Sequence, residues 1–128
     1  MNTGIKGHAE LTVSEKYSAK TMGSGELDVF ATPAMIALIE KAAWTSVAPE
    51  LGPGQGTVGT KLDVSHIAAT PLGMKVRCET ELVEADGRRL VFRAEVYDEA
   101  GKVGEGVHER FIVDNEKFQS RTDAKQGK

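Results

Sequence analysis

One cysteine, Cys78, occurs in 128 residues. That excludes an intramolecular disulfide and any cysteine-based zinc cluster. Aromatic residues make up only 5% of the chain, so its core has to be mainly aliphatic. No apolar run approaches the ~18 residues a spanning helix needs; the longest is Ala34 to Ile39, and no membrane partner is expected. The first residues, MNTGIKGHAELTV, lack a charged segment followed by an apolar one, so no secretory signal is read and a cytoplasmic protein is expected. Neither sign of charge dominates, with 16 Lys plus Arg against 19 Asp plus Glu and a net charge of −3. The basic residues are scattered rather than gathered into a phosphate-tracking stripe, which argues against nucleic acid as a partner. His8, His66 and His108 have no metal-ligand spacing, and no metal is expected.

Glycine, by contrast, is plentiful, with 14 residues, above the usual ~7%. Such a chain needs many tight turns or close backbone approaches. The length suits one domain, and no repeat or linker divides it. We expect a single domain over residues 1–118 and a polar, flexible tail over 119–128.

The elements follow from the pattern. Lys6 to Ser14 reads as an opening strand and the polar, glycine-bearing stretch Glu15 to Asp28 as a loop. Thr32-Pro33 opens a helix, with Thr32 as N-cap and Pro33 at the first helical position. Its body runs to Val47 and stops before Pro49, with Ile36, Ile39, Ala43 and Val47 in one stripe. After a glycine-rich turn, Val58, Thr60, Leu62, Val64 and His66 alternate with polar residues, as do Met74, Val76, Cys78, Thr80 and Leu82. Asp86-Gly87 signals a hairpin, Leu90 to Val96 the next strand and Val103 to Val113 the last. The class is α+β, with one helix and successive antiparallel strands in meander-like pairing, a pattern that several α+β rolls share.

Several positions could carry chemistry. Glu40 lies about 60° from the centre of the helical stripe; a carboxylate there is either a general acid or base beside a wet cavity, or a flank residue meeting Arg110. Thr32 is by default a cap, yet a hydroxyl at a helix N-terminus also sits where N–H groups favour a developing anion. His66 shares a face with Leu62 and Val64, which suits a hydrogen-bonded core residue as well as a catalyst. His108 and Arg110 share the face of the last strand opposite Val107, Phe111 and Val113; surface pairing is the commoner fate of such an arginine. Gly54 to Gly59 spells GxGxxG, but it follows a helix and opens a strand, the reverse of a dinucleotide site. Gly59 is better read as a point where backbone approaches a ligand or the helix. Phe30 is the aromatic nearest the helix start.

Several stretches together carry a resemblance: Val29-Phe30-Ala31-Thr32, Glu40 eight residues beyond Thr32, Gly56-Thr57-Val58-Gly59-Thr60, and VSHIAATPLG over Val64–Gly73. GRRL (Gly87–Leu90), HERFIV (His108–Val113) and Glu116-Lys117-Phe118 continue it. In order and spacing the chain resembles the fluoroacetyl-CoA thioesterase-like branch of hotdog-fold acyl-CoA thioesterases. The resemblance implies a hotdog fold, one central helix wrapped by a five- or six-stranded antiparallel sheet. It implies hydrolysis of a small or medium acyl-CoA, with no cofactor beyond the coenzyme A carried by the substrate. It assigns Thr32, Glu40 and His66 as catalytic, Gly59 as contacting the acyl end and Arg110 as an active-site arginine, and Phe30, the one aromatic near the helix start, is expected to be substrate-binding with them. It also implies a homodimer, with stacking into a dimer of dimers left open. The segment Thr21–Asp28, TMGSGELD, has none of the aromatic lid residues of the fluoroacetyl-specific enzymes, so that specificity is not expected. Two other readings remain, a non-catalytic acyl- or ligand-binding hotdog protein and an enoyl-CoA hydratase-like enzyme; no histidine lies within Thr32–Glu40 to support the second.

Overall fold

A computed structural model of the chain describes residues 1–127. Strand β1 (Lys6–Thr12) leads through a 3-10 turn and the short helix α1 (Ala19–Met22) to the long helix α2 (Thr32–Val47). Strands β2 (Gln55–His66), β3 (Lys75–Asp86), β4 (Arg89–Asp98) and β5 (Lys102–Asp114) follow, then helix α3 (Asn115–Asp123). The five strands form one antiparallel sheet in the order β1-β3-β4-β5-β2. The sheet curls around α2, the hotdog arrangement.

The meander holds for β3, β4 and β5 only. Strand β2 does not pair with β3; it crosses to the far edge and pairs with β5, while β1 takes the place beside β3. Residues 67–74 carry that crossing and are tied down by Ile67 N–H to Val103 O at 2.7 Å and Phe30 N–H to Thr70 O at 2.9 Å. The β3–β4 hairpin turns on Gly87–Arg88, with Gly87 at φ +60°, a conformation glycine adopts without steric cost.

Helix α2 buries Ala34, Met35, Leu38, Ile39, Ala42, Ala43 and Val47, a stripe rotated away from Ile36, which stays half-buried. Small residues let the helix sit close to the sheet. At Gly7 on β1 a Cβ would run into the Ala42 carbonyl oxygen and Thr80 Oγ1, so only glycine permits that approach. Against the helix pack Val76, Cys78 and Leu82 of β3 and Leu90, Phe92, Ala94 and Val96 of β4, the alternation expected of one-sided strands.

Other expectations meet corrections. The loop expected over 15–28 contains α1, capped by Ser18 Oγ, which accepts from Thr21 N–H at 3.0 Å. Strand β2 slips register between Gly59 and Lys61, so that the face holding Leu62, Val64 and His66 continues into Gly59 and Thr57, while Val58 joins Phe111 on the outer face. One inserted residue reverses the phase of a period-two pattern. The domain boundary placed at 118 falls inside α3, which Asp114 caps by accepting from Lys117 N–H at 3.1 Å. Phe118 remains 43% exposed.

Candidate active site

The start of α2 lies one residue earlier than expected. Ala31 is the N-cap, and no side chain caps this end. Thr32 is the first helical residue, and its hydroxyl turns away from the helix to share a hydrogen bond of 2.8 Å with His66 Nδ1. Pro33 has no N–H, and that of Met35 already bonds Ala31 O at 3.0 Å. The backbone donors at the tip are therefore Thr32 and Ala34, at the positive end of the helix dipole. An uncapped end keeps them available at a cost of about 1 kcal/mol in helix stability.

His66 closes the inner face of β2. Burial pushes its imidazole below the ordinary value, so it is neutral near pH 7. Its Nε2 is buried and has no hydrogen-bond partner among the described residues. Phe30, 1% exposed, meets the ring edge-on with centroids 6.1 Å apart. These three residues, with Ser24, Ala68 and Ala69 among others, line a cavity of about 330 Å³. A neutral histidine, a threonine hydroxyl and helix N–H groups at a cavity can together hold a carbonyl and move a proton.

A second cluster forms around Glu40. Its Oε2 lies 3.3 Å from Arg110 Nη1, the Glu40 side chain 38% exposed and that of Arg110 only 7%. Arg110 Nε donates to Thr57 Oγ1 at 2.8 Å and Nη2 to the Thr57 carbonyl at 2.9 Å. Its Nη1 also lies 3.1 Å from His108 Nε2, and His108 Nδ1 lies 2.9 Å from the Lys61 carbonyl oxygen. Gly59 is packed into this cluster: a Cβ there would stand 2.6 Å from Glu40 Oε2 and 3.3 Å from both Arg110 Nη1 and His108 Cε1. The face of β5 bearing His108 and Arg110 is thus the inner one, with His108 inaccessible and Arg110 5% exposed, while Val107 and Phe111 look outward. His108 and Arg110 are tolerated on the inner face because their nitrogens are paired with Lys61, Thr57, Glu40 and each other.

The six singled-out residues therefore divide. Thr32, His66 and Phe30 meet at the cavity; Glu40, Gly59 and Arg110 meet beside the middle of α2. Thr32 and Glu40 are eight residues apart, about 12 Å along the axis at ~1.5 Å per residue. Thr57 and His108 belong to the second group and were not assigned from sequence. The shared face of His108 and Arg110 was the available sign; for Thr57 the bulge in β2 hides it.

Residues 13–116 match the family described as FlK, fluoroacetyl-CoA-specific thioesterase. This chain belongs to that family. It is 43% identical over 94 residues to a fluoroacetyl-CoA thioesterase of Streptantibioticus cattleyicolor, covering 73% of this chain and 68% of that protein. The crystal structure of the fluoroacetyl-CoA thioesterase FlK is similar with a TM-score of 0.92 at 35% identity, covering 98% of this chain and 97% of the other. A mutant of that enzyme has been solved with fluoroacetate and CoA (TM-score 0.87, 35% identity, 92% and 99% covered). A hotdog-like protein from Thermanaerovibrio acidaminovorans shares the fold at 21% identity, with a TM-score of 0.87 over 98% of this chain and 93% of its own.

Proposed function

We propose that the chain is an acyl-CoA thioesterase that hydrolyses small or medium acyl-CoA thioesters in the cytoplasm, using water and no cofactor. The observation that carries this reading is the Thr32–His66 hydrogen bond at the tip of α2, facing a cavity, in a chain of this family. The thioester carbonyl oxygen points at the N–H groups of Thr32 and Ala34; losing one such donor typically costs about 10²–10³ in rate. Thr32 positions the acyl group, and His66 orients Thr32 or passes to the departing thiolate the proton that the attacking water gives up. Glu40 works on the carbonyl carbon, through water or by direct attack, with Arg110 fixing its orientation. Phe30 and the backbone at Gly59 contact the acyl end.

The rise of about 12 Å along α2 between Thr32 and Glu40 supports a site shared between two chains, because reacting groups stand about 3–3.5 Å apart. Strand β2 is an edge strand of the sheet, and its inward-facing Leu62 is 36% exposed. Such an edge invites pairing. In a homodimer joined β2 to β2 about a two-fold near Leu62, the Gly59–Glu40 end of one chain lies beside the Val64–His66 end of its partner. Each dimer then has two composite sites.

A thiol-release assay across acyl-CoAs from acetyl to decanoyl, with fluoroacetyl-CoA included, tests the reading. Turnover that disappears in Glu40→Gln, with the fold retained, is the expected result. Tight binding of CoA esters without turnover of any of them would favour a ligand-binding protein instead. Fluoroacetyl-CoA should show no preference over acetyl-CoA, since Thr21–Asp28 lacks aromatic side chains.

A further inference from the structure

We propose that His108 is a positioning residue, a permanently neutral acceptor that aims Arg110 at Glu40. The inference rests on the thioesterase reading above, in which Glu40 acts on the substrate. His108 has no accessible surface, and it is enclosed by groups from three strands and a helix: Lys61 O from β2, Phe92 from β4 with ring centroids 6.2 Å away, Arg110 from β5 and Glu40 from α2. The ring's two ends have different partners. A carbonyl oxygen can only accept, so the nitrogen 2.9 Å from Lys61 O carries the proton. A guanidinium can only donate, so the nitrogen 3.1 Å from Arg110 Nη1 carries a lone pair. Both contacts hold only for the neutral ring protonated at Nδ1. Burial lowers the basicity of the ring in the same direction.

The consequence falls on Arg110. Its Nη1 has two hydrogens and two acceptors, His108 Nε2 at 3.1 Å and Glu40 Oε2 at 3.3 Å. Thr57 holds Nε and Nη2 in the plane of the guanidinium. Occupying one Nη1 hydrogen with His108 leaves the other a single direction, toward Glu40. The anchor at the far end of the imidazole, Lys61 O, belongs to the register slip that also brings Gly59 against Glu40. One ring therefore couples the strand bulge, the arginine and the carboxylate.

Two amide substitutions separate aiming from mere packing. The carboxamide of His108→Asn places a donor near Nδ1 and keeps the bond to Lys61 O, but offers Arg110 no acceptor. That of His108→Gln reaches the position of Nε2 and restores an acceptor to Arg110. Aiming predicts that His108→Asn lowers kcat toward the best acyl-CoA by about tenfold to a hundredfold, the range for a hydrogen bond to a charged group. His108→Gln should stay within about threefold of the parent, and KM should change little in either. Equal losses in both variants, or no loss in His108→Asn, overturn the proposal. Should neither variant fold, ring-nitrogen NMR of the unmodified protein decides it. The His108 signals should report the Nδ1–H tautomer from pH 8 to 5; an Nε2–H tautomer, or titration near the ordinary value, overturns the proposal. A parent protein without thioesterase activity refutes the functional reading and the catalytic consequence with it, while the NMR result still decides whether His108 is the neutral acceptor of Arg110.

Discussion

Mixing two inactive forms of the chain should restore activity. Thr32 and Glu40 are eight residues apart on one straight stretch of α2, about 12 Å along its axis. In the proposed dimer, the Thr32 hydroxyl and the Glu40 carboxylate that flank one carbonyl at about 3–3.5 Å come from different chains. Thr32→Ala and Glu40→Gln should each be impaired, the second by about 10²–10⁴ if the carboxylate acts as base. Refolded together in equal amounts, the two chains form homodimers and heterodimers in the ratio 1:2:1. A heterodimer has one site with both native groups and one site with neither. Half of all dimers then have one competent site of two, and kcat per chain recovers to about one quarter of the parent value. KM of the restored sites should equal that of the parent, because each is chemically complete. Thiol release from the mixture, with differently tagged chains to confirm exchange, measures it. A mixture no more active than its separate components, despite demonstrated heterodimers, refutes the composite site; so does full activity in a protein shown to be monomeric at assay concentration.

Three further outcomes are expected. Gly59→Ala should fold, since Gly59 does not have positive φ, but its Cβ would stand 2.6 Å from Glu40 Oε2; a displaced carboxylate lowers kcat by about a hundredfold, and unchanged turnover would detach Glu40's position from the chemistry. Gly7→Ala should lower stability by about 3 kcal/mol, read as a shift in the urea midpoint at constant slope, because Ala42 O is backbone and cannot yield; a shift under about 1 kcal/mol would show that α2 moves freely over β1. Stability should fall as the pH drops below about 6.5, the ordinary imidazole value. His66 and His108 both have lowered values through burial, so the unfolded chain takes up protons first and the loss continues down through the folded values. Carboxylates such as Glu81, held below the ordinary range by the Lys6 hydrogen bond, add their own loss only at lower pH. A melting temperature that is flat from pH 8 to 5 would contradict the neutral-histidine assignment.

The strands of the β3–β4–β5 meander were legible because each obeys a period of two and each turn has its own local chemistry, as Asp86-Gly87 does. The place of β2 was not. Its amino acids specify a strand, but nothing local specifies that it pairs with β5 across the sheet rather than with β3. The bulge at Gly59 to Lys61 compounds this, because it moves Val58 outward and Thr57 inward without altering the apolar spacing that a reader counts. Reading the inner face of β5 fails for a related reason. Val107 and Phe111 look like the buried side, and only partners on other elements (Thr57, Lys61 and Glu40) make the His108–Arg110 face the buried one. Helix α3 escaped notice because it has no apolar stripe; its buried residues are none, and an aspartate cap is its clearest mark. Of the site, the chemical identities were visible and the division into two groups was not, since it depends on reading Thr32 and Glu40 as positions on a rigid rod.

That division explains where the single chain is incomplete. The outer face of the sheet satisfies itself: Glu81 meets Lys6 at 2.9 Å and Arg93 at 3.2 Å, and Lys102 meets Glu95 at 2.8 Å and Glu105 at 2.7 Å. The inner edge does not. There β2 has only one neighbour, Leu62 faces inward yet is 36% exposed, α2 begins without a side-chain cap, and His66 Nε2 is buried with no hydrogen-bond partner among the described residues. (Thr80 Oγ1, the other such atom, lies beneath Gly7 on the opposite side.) Unpaired strand edges, open helix ends and orphaned polar atoms each cost stability, and their coincidence along one edge has a common cause if that edge is where a second chain docks. The same edge separates Thr32 and His66 from Glu40 and Arg110. Completing the sheet and completing the active site are then one event, and a substitution that keeps β2 from pairing should abolish turnover together with dimer formation.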